Sequence, residues 1–476
     1  ADFGGGIFVN GFADNLRITN NKVFGNAGFW GGGVRLGHPF LSAENAGGDI
    51  FYTSSENNNV VISNNHIRNN AGQDGVGGGV SICTGANNYQ ITSNFICGNF
   101  TQGSGGGIGQ LGISDGMINQ NLIAFNQSFD QGLSPNGGGI YIGGGAPQGP
   151  NPLSKGSGWV TIDSNVIQGN HAGAGDGGGI RLERINGRDV ADNPDNPANW
   201  NMISITNNQI VNNVAGMAGG ALSLQDAANV NISNNTIARN DSTATTGAAF
   251  LPQAIPQQSM PQVAGIVSYA HSLALAAAID PGLPAPNGSL FSDPVLATNI
   301  IWQNRSMYFE IDPNVDIFNG QSPIMMKDAD PLYNDLGVVG MAAMLNPQGS
   351  ILTDNTLYPG EAGTPNASTD PGFVMPYFNT GTPGLFVPEA ITPFNVAAAF
   401  DEGGNFIDIR YWPLTYTGDY STGGGPGPVG TVGPLLESYT ATAATTDTTS
   451  GDSSTMSTAE SDGGSACFIE TLIGSH

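Results

Sequence analysis

A centre that binds or transforms a ligand needs ionisable side chains held close together. The leading candidates in this chain are Tyr141, Arg181 and Glu183, in the segments Ile140-Tyr-Ile-Gly143 and Ile180-Arg-Leu-Glu183. A phenol, a guanidinium and a carboxylate are parts of a polysaccharide site. A hydrolase needs two or three clustered carboxylates, one as acid and one as base or nucleophile. A lyase needs an acidic cluster for calcium together with a Lys or Arg base. Glu183 is the one carboxylate among the residues aligned with this group, so the inventory falls short of both enzymes. The three residues are therefore candidates for ligand contact, and none is assigned a catalytic role.

Other chemistries are thinner still. Asp74 and Asp176 precede glycine-rich turns, which makes calcium the one cofactor worth weighing. The Gly-Gly-x-Gly-x-Asp nonapeptide that stacks calcium is missing, and Asp in such turns usually caps backbone. His38, His66, His171, His271 and His476 are scattered without metal-ligand spacing. No phosphate loop or dinucleotide fingerprint occurs, because the glycine triplets precede strands rather than helices.

The elements that must position these residues are repeats. The pattern Asn-x-[Ile/Val]-x-x-Asn occurs eight times, at Asn21–Asn26, Asn65–Asn70, Asn94–Asn99, Asn121–Asn126, Asn165–Asn170, Asn208–Asn213, Asn235–Asn240 and Asn299–Asn304. It alternates with three small residues and an apolar one, from Gly4-Gly-Gly-Ile7 through Gly219-Gly-Ala-Leu222 to Gly247-Ala-Ala-Phe250. Ile7 to Val34 is 27 residues, Val80 to Ile108 is 28, and Leu222 to Phe250 is 28. Longer intervals hold insertions, while the five-residue Asn step stays fixed. The apolar runs are short and alternating, as in Val160-Thr-Ile-Asp163, which is strand periodicity. A turn of about 27 residues with three short strands, stacked at roughly 4.8 Å per rung, predicts an all-β chain folded as a right-handed parallel β-helix. The Asn residues should take the left-handed corner conformation and stack into amide ladders. In register, one outward column reads Phe8, Arg35, Ser81, Gly109, Tyr141, Arg181 and Ser223, and the next includes Cys83, Leu111, Gly143, Glu183 and Gln225.

With these repeats, the chain resembles the parallel β-helix proteins of bacterial surfaces. The resemblance is to the Gly-Gly-Ala-[Ile/Val/Leu] and Phe-x-x-Asn repeats of polymorphic outer-membrane proteins, over roughly residues 1–305. The Phe of that motif is replaced here by Val23, Ile67, Ile96, Ile123, Ile167, Ile210 and Ile237. A second resemblance lies at Cys467-Phe-Ile, which is similar to a C-terminal box of exported bacterial proteins. That likeness implies surface sorting through Cys467.

Composition bounds the rest. The chain has 476 residues, 72 Gly and a formal charge of −26, which disfavours nucleic acid as a partner. No apolar run is long enough to span a bilayer. With no Met at Ala1 and Gly4 already inside a rung, a fragment or processed piece is expected. Three cysteines give no paired framework, and a Cys83–Cys97 disulfide is not expected. The organisation expected is a β-helix over 1–305, irregular final rungs and a cap over 306–437, a flexible Ser/Thr-rich linker over 438–466, and the Cys467 motif over 467–476. Insertions at 37–59, 143–158 and 185–201 all follow the glycine strand and should leave one edge of the solenoid. Leu273–Ile279 is long enough only for a small helix. Together with the repeats, the two resemblances imply an exported scaffold, structural or adhesive, at a bacterial cell surface and in contact with polysaccharide or other surface components. The alternative is a carbohydrate-active lyase or hydrolase.

Overall fold

The structure is a computed structural model that describes residues 4–37, 42–44, 50–52, 54–130, 135–147, 150–250, 258–311 and 324–373. The linker and the Cys467 motif expected at the C-terminus lie outside the described residues.

Four nine-stranded sheets run the length of the molecule, and successive rungs pair in parallel. The glycine face runs from Ile7–Val9 to Leu336–Val339. The second face runs from Arg17–Thr19 to Pro347–Gln348, and the asparagine face from Lys22–Phe24 to Ile351–Leu352. The fourth, short face begins at Ala27–Gly28 and ends in an antiparallel pair, Arg305–Ile311 with Ile324–Tyr333. This is a parallel β-helix, and each rung has four strands rather than the three expected. The additional strand is only two residues long in most rungs, for example Ala71–Gly72, too short for alternation to reveal it.

Alternation places the core. Ile162, Ile205 and Ile232 stack on the second face, while Ile167, Ile210 and Ile237 stack on the asparagine face. All six are fully buried in one continuous cluster. Each such side chain removed from water is worth about 1.5–3 kcal/mol.

Two Asn ladders line the corners flanking the asparagine face. Within a ladder, the backbone N and Nδ2 of each Asn donate to Oδ1 of the next. Asn165 does so to Asn208 at 2.9 and 3.0 Å, and Asn170 to Asn213 at 2.9 and 3.0 Å. The first ladder ends on Ser350 Oγ at 3.1 Å, and the second on Asp335 Oδ1 at 3.1 and 2.8 Å. The left-handed bend falls one residue earlier than the sequence suggested. Ser164, Asn207 and Asn234 precede the first ladder with φ of 56°, 57° and 58°, and Gly169, Asn212 and Arg239 precede the second with 64°, 55° and 56°. The preceding residue turns the chain, which leaves the Asn free to aim both N–H groups along the axis.

Glycine is required chiefly by close approach. A Cβ at Gly78 would stand 2.3 Å from Phe100 O and 2.5 Å from Gly106 O, both backbone atoms of the next rung. One triplet is not a rung at all. Gly247–Ala249 forms a short 3-10 turn, and Leu222–Gln225 pairs instead with Ile266–Tyr269. The insertions leave the edge between the glycine and second faces, as expected. A further one between Ile266–Tyr269 and Val295–Ala297 joins them, carrying the helix Leu273–Ala278. That helix packs against the helix Arg188–Asp192 through Val190, Trp200, Leu275 and Ile279.

Candidate functional site

The glycine face brings the three candidate residues together. Tyr141 pairs in register with Arg181, and Gly143 with Glu183. A Cβ at Gly143 would lie 2.5 Å from the Tyr141 ring and its hydroxyl, so the glycine clears a path for the phenol to lie across it. The Tyr141 hydroxyl then donates to Glu183 Oε2 at 3.3 Å. Burial, followed by the Glu183 charge, pushes the Tyr141 phenol well up, so near neutral pH it is a donor and not a base.

Arg181 is only 3% exposed although it points away from the core. Its Nη1 donates to Asp176 Oδ2 at 3.1 Å and to Ser223 Oγ at 2.6 Å, and its Nη2 donates to Gln225 Oε1. The guanidinium stands 5.6 Å from the Tyr269 ring centroid. Nε alone lacks a hydrogen-bond partner and faces Glu183 Oε2 at 3.9 Å. Glu183 Oε1 in turn meets Arg184 Nη2 at 3.3 Å, at the more exposed margin of the group.

Asp176 is the carboxylate that the aligned columns omit. It sits in the turn before the glycine triplet, where it could be considered only for calcium. Its Oδ1 accepts from Ala218 N at 3.0 Å, which is the backbone capping expected of a turn Asp, while Oδ2 takes Arg181. Tyr269 also donates to it. Burial raises the Asp176 carboxyl, against the pull of Arg181 and then of the Tyr269 bond. Tyr269 is missed as well, because its strand replaces the glycine triplet with Ala264-Gly-Ile. Only the pairing of Ile266–Tyr269 with Leu222–Gln225 places it below Gln225. Among the described residues no group of three or more His, Cys, Asp or Glu could hold a metal ion.

The same geometry occurs further up the same column. Arg35 Nη1 donates to Ser81 Oγ at 3.1 Å, and Nη2 lies 2.7 Å from Cys83 Sγ. Arg35 over Ser81 and Cys83 thus repeats Arg181 over Ser223 and Gln225, in register by strand position. Cys83 is a free thiol, so no Cys83–Cys97 disulfide forms. Burial raises its titration despite Arg35 beside it, and so disfavours the nucleophilic thiolate. Cys467, the other candidate, lies outside the described residues.

Chemically, the Arg181 group is a closed network. Its cation is engaged by a buried carboxylate, a hydroxyl and an amide, and both phenols are held neutral. Glu183, Gln225 and Arg184 form the side open to a ligand. Comparisons with protein-family models, with curated proteins and with solved structures return no match to this chain.

Proposed function

We propose that this chain is a non-catalytic scaffold, structural or adhesive, exported to a bacterial cell surface. The observation that carries the reading is the recurrence of one arginine arrangement in one column. A guanidinium that spans two rungs at Arg35 and again at Arg181 is best understood as a clamp along the solenoid. A reactive group would be expected once, with free hydrogen-bonding capacity. The continuous ladders support the same view, since they suit a stiff rod that presents insertions from one edge. The resemblance to polymorphic outer-membrane repeats and to the C-terminal sorting box motivates the surface assignment.

A second reading has one observation in its favour. Asp176 and Glu183 flank Arg181, which raises the carboxylate count of the group to two. On this reading Glu183 and Asp176 would serve a carbohydrate-active enzyme. Assays for released reducing ends and for unsaturated uronides, with and without calcium, separate the two. The scaffold reading expects no turnover of any glycan offered. Turnover abolished by both Arg181→Ala and the milder Glu183→Gln would overturn it.

A further inference from the structure

Trp159 keeps about half of its surface in solvent, outside the hydrophobic core. It stands just before the strand Val160–Asp163 of the second face; Val160 turns inward, so Trp159 and Thr161 both face solvent. The side chain is 49% exposed, and Met117 on the preceding rung is 40% exposed. The backbone beneath is fixed: Trp159 N donates to Asp115 Oδ1 at 2.8 Å, and its carbonyl accepts from Gly116 N at 2.9 Å. Trp200 makes the contrast. It is fully buried and its Nε1 donates to Asn193 O at 2.7 Å, so it serves packing.

The surroundings of Trp159 identify what would cover it. In register, the outward column running past it reads Gln90, Met117, Thr161, Ser204 and Asn231. From Gln90 to Asn231 it contains amides, hydroxyls and a thioether, and the charge of the column, Arg17, stands beyond Val61 at its far end. In the adjoining column Asp163 is the single ionisable residue, and its oxygens already accept from Ser164, Thr206 and Asn207. The face beside Trp159 is thus a lattice of uncharged donors and acceptors whose two carboxylates, Asp115 and Asp163, already accept hydrogen bonds from their neighbours. Polyanions meet Asp115 and Asp163 here and are repelled by the net charge of −26. A stable protein partner needs roughly 800 Å² per side around a largely apolar centre, far more than an indole and a thioether offer.

We propose that Trp159 is the stacking platform of a binding site for an uncharged polysaccharide. The C–H face of a pyranose ring lies on the indole, and the ring hydroxyls exchange hydrogen bonds with Thr161 and the neighbouring amides. A polymer aligned with the solenoid axis meets the same polar column rung after rung. This inference rests on the adhesive form of the proposed function and names its ligand class.

Affinity electrophoresis of the full chain through native gels containing β-glucan, xylan or galactomannan tests it, with polygalacturonate as the charged comparison. At least one neutral polymer should retard the protein equally at low and high salt. Trp159→Ala should weaken that retention by about tenfold or more, the loss of one central aromatic contact, and Trp159→Tyr should retain most of it. An unchanged thermal midpoint in both variants excludes unfolding as the cause. Retention undiminished in Trp159→Ala, salt-sensitive retention on polygalacturonate, or no retardation by any neutral polymer would each overturn the proposal. Glycan turnover by the wild-type chain would instead bring down the scaffold reading, with the Trp159 site still judged by retention.

Discussion

Replacing Asn165 by Leu tests the ladder at its centre. The Asn165 side chain accepts from Asn121 N and Nδ2 at 3.0 Å each. It donates to Ile118 O at 2.9 Å, Asp163 O at 3.0 Å and Asn208 Oδ1 at 3.0 Å. Leu has a similar volume, so the substitution removes bonds without opening a cavity. Asn208 Oδ1 keeps the bond from the residue-165 backbone, and Asn121 Nδ2 keeps Ile91 O at 2.8 Å. The Asn121 backbone N–H and one Nδ2–H lose their acceptor at a residue that is 2% exposed. Two buried donors left unpaired, at about 1–3 kcal/mol each and partly offset by the apolar Leu, give a cost of about 2–5 kcal/mol.

Urea denaturation followed by circular dichroism measures that cost, with Asn119→Leu on the solvent side of the preceding rung as a control near ±0.5 kcal/mol. The break should also broaden the transition, because a solenoid transmits cooperativity only between neighbouring rungs. Combining Asn165→Leu with Asn208→Leu should cost less than the sum of the two, since with Leu at 165 no Nδ2 remains for the loss of Asn208 Oδ1 to leave unpaired. Asn165→Leu within about 0.5 kcal/mol of wild type, or strictly additive costs, would refute the claim that the ladder is a connected network.

Two further outcomes are expected. Arg181→Met leaves Asp176 buried opposite an uncharged side chain and should destabilise by about 3–5 kcal/mol; adding Asp176→Asn should recover much of the loss, and equal melting of the single and double variants would show that the pair is not coupled. Burial raises the Asp335 carboxyl at the end of the second ladder, although bonds from Thr353 and Asn304 pull it down. With a folded value above the unfolded one of about 3.9, its stabilising contribution is whole below pH ~4 and drains as pH rises through the folded value. The Tm of wild type minus that of Asp335→Asn should therefore fall between pH ~4 and ~7, and a difference constant over that range would count against the shift.

How much of this was legible in the sequence follows from where each constraint acts. Corners and core are dictated rung by rung, so the Asn step, the inward Ile and the order of the outward columns could all be read from spacing alone. The two-residue strand of the short face carries no period of its own. The displaced corner was hidden because Ser164, Asn207, Phe125 and Arg239 share no residue type, only a left-handed φ; what repeats at that step is the ladder residue that follows.

The Arg181 group shows the limit of spacing in another way. Its members lie about forty residues apart in sequence but one rung apart in space, since Tyr141, Arg181, Gln225 and Tyr269 sit on four successive strands of the glycine face. Aligning glycine triplets recovers the first three. Tyr269 escapes because Gly247–Ala249 has the triplet's composition but forms a turn, while Ala264-Gly-Ile lacks the triplet and supplies the strand. Asp176 escapes because it belongs to the turn and not to the strand. Backbone stacking thus fixes the column, while turns and insertions decide what closes over it. On a solenoid whose corners and core already satisfy the rung-to-rung bonds, outward positions are comparatively free to vary. A clamp such as Arg181 over Ser223 and a bare platform such as Trp159 can then be told apart only by asking, side chain by side chain, which still has unspent contacts.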